Sequence, residues 1–85
     1  MRTYEFILIL REPAELTEDV AERLFLAGCD DGSPGMSEGC VFVHFHREAN
    51  SLEEAIDSAA QNVRSAGYLV HHAELEVDNL AAAVV

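Results

Sequence analysis

The sequence is short of residues that several protein classes require. Its two cysteines, Cys29 and Cys40, are too few for the disulfide framework of a small secreted domain. It has only five basic residues against 16 acidic ones, and a phosphate backbone would repel the resulting net charge of −11. We therefore expect a reduced protein that does not bind nucleic acid by itself, and a basic protein partner would suit its charge.

Long apolar runs are missing as well. The longest candidate, residues 6–10, is the size of a strand, whereas a membrane helix needs ~18 apolar residues. The N-terminal residues also lack the basic region and apolar stretch of a signal peptide. These absences predict a cytoplasmic protein with no membrane partner. The 85 residues, 49% of them hydrophobic, predict one domain over residues 1–85, in which 78–85 form a short C-terminal tail.

The clearest local signal is a strand followed by a capped helix. Residues 40–46 have the period-two pattern and β-forming composition of a strand. Ser51 and Glu54 then have the spacing of a capping box, in which the serine hydroxyl accepts from the N–H three residues later. Gly67 offers the left-handed position that ends a helix. One apolar stripe follows the helical period between these limits, and it comprises Leu52, Ile56, Ala59, Val63 and Ala66.

The same order of strand and helix precedes this unit. Thr17 is placed to cap a first helix, and Gly28 to end it. The segment 30–39 is rich in Asp, Gly, Ser and Pro, which indicates a loop or at most a short edge strand, with a turn at Glu38 and Gly39. The predicted strands are 3–11, 33–36, 40–46 and 68–77, and the predicted helices are 18–27 and 51–66.

This order predicts an α+β fold, the ferredoxin-like βαββαβ pattern with a four-stranded antiparallel sheet and two helices on one face. The first and third strands would be central, and the second sheet face would have no helix to cover it. Ile7, Ile9 and Phe42 point to that face, and His72 alternates onto it. An uncovered apolar face favours association, so we expect a homo-oligomer, most simply a two-fold dimer, with these four residues in its interface.

His44 and His46 form the one candidate metal pair in the sequence. Two residues apart in a strand, they point to the same face, as H-x-H pairs that chelate divalent metals do. His72 lies on a strand about two spacings away, ~10 Å, too far to share one ion within a protomer. Any metal would then be carried between protomers; otherwise these are solvated or interfacial histidines. We expect no other cofactor.

No group of residues predicts catalysis. Cys29 follows a helix end and Cys40 opens a strand expected to be buried, so both are expected to be structural thiols. A nucleophile also needs a base and an orienting group, and the sequence suggests no such set. Segment 30–32 lacks the ligand pattern of a calcium loop, and 32–35 lacks the ending of a phosphate loop.

Three segments, 27–32, 43–49 and 52–55, resemble the N-terminal α/β domain of small bacterial helix-turn-helix, antitoxin-like regulators. The resemblance implies a regulator that associates with partners through this domain. Two departures are the histidines at 44 and 46, where that family often has acidic residues, and the helix-turn-helix, which is not found within residues 1–85. We therefore predict a non-enzymatic interaction or oligomerisation domain, regulator-type or antitoxin-like. The alternatives are a protein that binds metal through His44 and His46 at a protomer interface, and a small enzyme of unknown reaction.

Overall fold

The structure, a computed structural model, describes residues 2–12 and 14–75, and it has the predicted alternation of strands and helices. The expected tail at 78–85 and the last two residues of the predicted fourth strand lie outside these residues. Every predicted element is present within one or two residues, except that the second and third strands are longer than expected. The elements are β1 (Arg2–Glu12), α1 (Glu18–Leu26), β2 (Gly32–Ser37), β3 (Cys40–Ala49), α2 (Leu52–Ser65) and β4 (Leu69–Leu75).

The four strands form one antiparallel sheet in the order β2-β3-β1-β4. The first and third strands are therefore central, as predicted. The β2–β3 hairpin turns at Glu38 and Gly39, whose φ angles are both positive, 53° and 78°. Positive φ at both central residues is typical of the tight turns that match the twist of a hairpin. This turn places Ser37 opposite Cys40 and fixes the register of β2 along β3.

Both helices begin at the predicted caps. The Thr17 hydroxyl accepts a hydrogen bond from the Val20 N–H at 3.2 Å, and the Ser51 hydroxyl accepts one from the Glu54 N–H at 3.1 Å. Each bond satisfies an N–H that the first helical turn leaves without a partner. The glycines at the other ends, Gly28 and Gly67, have φ values of 110° and 95°, as the predicted helix stops require.

The core lies between the helices and one face of the sheet. Alternate residues of β1 and β3 are buried there, and the rings of Phe6 and Phe45 stack with centroids 5.4 Å apart. α1 contributes Val20 and Leu24. α2 buries Ala55, Ala59 and Val63, while the larger Leu52 and Ile56 of the predicted stripe are half-buried at its margin. Small residues at the centre of α2 let this helix approach the sheet closely.

β4 departs from the predicted alternation. Its pairing with β1 shifts register after Ile9, so that Ile9 faces His72 but the next residue, Leu10, faces Val70. This irregularity at His71 reverses the phase of the strand, as a β-bulge does. Val70 therefore packs against the core, whereas the simple alternation placed it on the same face as His72.

β2 was expected to be a loop or a strand of four residues, and it is a six-residue edge strand. Its glycines permit close pairing with β3, since a Cβ at Gly32 would lie 2.6 Å from the Val43 side chain. In the part of the chain that the structure describes, neither helix is long and apolar enough to cross a membrane.

Candidate functional site on the open sheet face

The face of the sheet opposite the helices, here called the open face, carries the sequence-predicted site residues. Ile7, Ile9 and Phe42 lie there on the two central strands and are half-buried. Neighbours on the same face shield part of each side chain. The Phe42 ring lies over Gly35 of β2, where an added Cβ would come within 2.6 Å of it. A glycine on the edge strand thus gives the aromatic ring a flat surface to lie on.

A groove of about 590 Å³ runs along this face. Its floor is apolar, with Ile7, Ile9 and Phe42, and its rim is polar, with His72 and Glu74 on the β4 side. His72 Nε2 lies 2.9 Å from Glu74 Oε2, so the two rim side chains are held together. The β2 side and the hairpin supply the remaining lining residues Met36, Ser37, Glu38 and Cys40. An apolar floor with a polar rim is the usual composition of a contact surface.

Beside the groove, Glu5 lies with the two predicted histidines, a group that we call the His–Glu cluster. Glu5 pairs with His46 across β1 and β3, and His44 is two residues away on the same side of β3. Glu5 Oε2 lies 2.8 Å from His44 Nε2 and 3.5 Å from His46 Nε2, and the two rings are 4.7 Å apart. The three side chains are 35%, 27% and 54% exposed, respectively, so water reaches the cluster from one side.

The structure separates His72, which was also predicted to lie on this face, from the His–Glu cluster. Ile7 pairs with His44 on one side and with Glu74 on the other, so an apolar side chain stands between the cluster and the β4 rim. His72 lies one pair further along, opposite Ile9. The expected separation of His72 from the histidine pair is therefore present, and the carboxylate that joins the pair comes from β1.

Arg47, which sequence reasoning did not single out, holds the most extensive polar network among the described residues. Its guanidinium donates to both carboxylate oxygens of Asp31 at 2.8 Å, to Asn62 Oδ1 at 2.8 Å, to the Ser58 hydroxyl at 3.1 Å and to the Gly28 carbonyl at 2.9 Å. These bonds tie β3 to α2 and to the segment that follows α1. Hydrogen bonding from Arg47 lowers the pKa of Asp31 below its ordinary value.

The two thiols differ in environment. Cys29 is buried beneath α1, and burial raises the pKa of its thiol to about 11, so that it is protonated at neutral pH. Cys40 is exposed at the start of β3, where it lines the groove. The expectation of two buried structural thiols therefore holds for the position of Cys29 only, because alternation along β3 turns Cys40 toward the open face.

Comparisons of the chain with protein-family models, with curated proteins and with solved structures find no match. The candidate site consequently stands on its own geometry: a groove with an apolar floor, and a His–Glu cluster next to it on the same face.

Proposed function

We propose that this chain is a non-enzymatic, cytoplasmic interaction domain that self-associates through its open face. The observation that carries the proposal is the groove floor of Ile7, Ile9 and Phe42, which neither helix covers. Apolar side chains on the central strands of a sheet are normally packed against another layer of structure. A second copy of the chain supplies such a layer by stacking sheet on sheet about a two-fold axis.

The distribution of charge favours a second copy at this face. Six acidic residues lie on the two helices, on the opposite side of the sheet: Glu18, Asp19, Glu22, Glu53, Glu54 and Asp57. The open face carries fewer: Glu5 and Glu74, which each contact a histidine, Glu38 at the rim of the groove, and Glu48, two residues beyond His46 on β3. Two strongly acidic chains therefore meet with the least repulsion when their open faces are apposed.

The free energy gained by burying the groove floor is close to the cost of association, so one residue can decide whether dimers form. Burying ~100 Å² of apolar surface on each of two protomers contributes roughly 5 kcal/mol at ~25 cal/mol per Å². The cost of association, about 4 to 15 kcal/mol, is of similar size. A single charge placed on the groove floor should therefore decide whether dimers form.

The architecture that presents this face is, we propose, the ferredoxin-like one. The sheet order 2-3-1-4, the same as 4-1-3-2 counted from the other edge, and the βαββαβ order support it. In such a domain, crossover helices cover one face and the other remains available for a partner.

Binding rather than catalysis is also favoured by the electrostatics. Within residues 2–12 and 14–75, the clear pKa changes belong to Cys29, Asp31 and Arg47. Cys29 and Asp31 lie between α1 and β2, and the Arg47 side chain reaches them from β3, on the side of the sheet away from the groove. Groups with a shifted pKa often lie in catalytic sites, but here they belong to the network of hydrogen bonds around Arg47.

The test of self-association is the mass of the purified chain by light scattering over a concentration series. Wild type is expected to form dimers and Ile9→Glu to be monomeric, because the new carboxylate would be buried in the interface. The matched control is Leu26→Glu, on an exposed side chain of α1 (75% exposed), which should remain dimeric. A monomeric wild type, or a dimer lost in Leu26→Glu and kept in Ile9→Glu, would contradict the proposal.

Cys40 reports independently on the groove. In a monomer, this exposed thiol should react fast with a thiol reagent, and Cys29 only after unfolding. A dimer formed through the open face should slow labelling of Cys40 as protein concentration rises. Labelling that does not depend on concentration, in a protein that light scattering shows to be dimeric, would place the interface elsewhere.

An antitoxin-like role, in which a basic protein binds the acidic surface of the two helices, is the second candidate, and the net charge of −11 supports it. Such a complex would weaken steeply with salt, whereas a dimer held by the apolar floor would not. Under either reading, the chain alone is expected to give no gel shift with duplex DNA.

A further inference from the structure

We propose that Glu5, His44 and His46 form a binding site for one divalent transition-metal ion within a single protomer. All three ligands come from β1 and β3 of one chain, so the site does not depend on self-association. It also differs from the arrangement that the sequence suggested, in which two histidines shared an ion with a second protomer.

The ligand atoms are already gathered. One ligand atom from each of the three side chains lies within 4.8 Å of the other two. Around a tetrahedral ion with bonds of ~2.0 to 2.1 Å, neighbouring ligand atoms are ~3.3 Å apart. The two distances to Glu5 Oε2, 2.8 and 3.5 Å, lie on either side of that value. Small rotations of the side chains are therefore enough to place all three donors around one ion.

The strands hold the ligands in place. The three residues sit on paired positions of the two central strands, where the sheet ladder fixes their backbones on both sides. His44 is also held against the sheet by its half-buried position next to Ile7. A site on rigid paired strands requires little ordering when an ion binds.

Two imidazoles and one carboxylate form a donor set for zinc, and also for iron, cobalt, nickel or copper in the divalent state. Magnesium and calcium, which prefer all-oxygen ligands, fit it poorly. Three protein ligands leave at least one coordination position to water, and the cluster is open to solvent on the side where that water would enter.

The experiment uses the full chain prepared without a histidine tag and freed of metal with a chelator. Zn²⁺ binding is measured by calorimetry, and Co²⁺ binding by its visible absorption, which reports the number and geometry of the ligands. We expect one ion per chain. Glu5→Gln, His44→Gln and His46→Gln should each weaken binding by about tenfold or more, since even residues behind the direct ligands often contribute about that much.

The matched control is His71→Gln, which removes an exposed histidine on β4 outside the cluster. It should bind Zn²⁺ with the wild-type stoichiometry and affinity, and circular dichroism should show that every variant is folded. Binding unaffected by Glu5→Gln, or lost equally in His71→Gln, would overturn the proposed site, as would wild-type protein that binds neither ion. An Ile9→Glu monomer that still binds one ion per chain would show that the site lies within one protomer.

Discussion

Replacing Arg47 with methionine should destabilise the fold more than the same replacement of any other arginine among the described residues. The side chain is 11% exposed and donates five hydrogen bonds, to Asp31, Asn62, Ser58 and Gly28. Methionine keeps much of the apolar stem but removes every donor. The Gly28 carbonyl and the Asn62 amide oxygen would then lose their charged partner.

The size of the effect follows from how far each partner can regain water. Breaking a fully buried ion pair by removing one member costs about 3 to 5 kcal/mol. Asp31 is 32% exposed, so its carboxylate would be partly rehydrated, and we expect a loss of ~2 to 3 kcal/mol in the free energy of unfolding. Arg47→Lys keeps the charge but cannot reproduce the planar two-pronged contact with Asp31. Its free energy of unfolding should therefore lie between those of wild type and Arg47→Met.

Urea denaturation followed by circular dichroism measures this loss, at one protein concentration because dimers are stabilised by mass action. The control is Arg23→Met, which breaks another Arg–Asp pair, with Asp19, whose side chains are 60% and 75% exposed. An exposed pair of this kind contributes at most about 1 kcal/mol. Equal losses in the two variants, or a loss below about 1 kcal/mol for Arg47→Met, would refute the argument that burial makes the Arg47 network important.

Two further predictions concern the same network. Because Arg47 lowers the folded-state pKa of Asp31 below its ordinary value of 3.8, its carboxylate contributes stability that is present above that value and lost as pH falls through the folded pKa. The stability difference between wild type and Asp31→Asn should therefore be constant near neutral pH and shrink below about pH 4, and a difference that grows on acidification would contradict this sign. Gly28→Ala should cost more than Gly39→Ala in the same urea assay, since both have positive φ but only at Gly28 would the new Cβ meet a side chain, 2.9 Å from Asn62 Nδ2. Equal losses would mean that the Asn62 side chain moves aside freely.

Local signals in the sequence were sufficient to predict the element order. Helix caps and helix stops depend on residues a few positions apart, so the sequence itself indicates them. The caps are Thr17 and Ser51, and the stops are Gly28 and Gly67. The irregularity in β4 could not be predicted this way. It arises from how the strand pairs with β1, and nothing in the apolar alternation around His71 marks it.

The candidate site was predicted only in part for a similar reason. His44 and His46 are near neighbours in sequence, but Glu5 is 39 residues before His44 and joins them only through strand register. Arg47 had a usable signal. Alternation along β3 turns Val41, Val43 and Phe45 inward, so an arginine two residues later on the same side required a buried partner.

The edges of the sheet bear on how the protein behaves at high concentration. An unpaired edge strand is a template on which further chains can add, and fibrous aggregates grow in this way. Here Pro34 interrupts the row of N–H donors along β2 at one edge, and the register shifts of β4 disturb the pairing row at the other. A proline and a bulge are devices by which edge strands disfavour open-ended growth by strand addition, and this sheet has one of them in each edge strand.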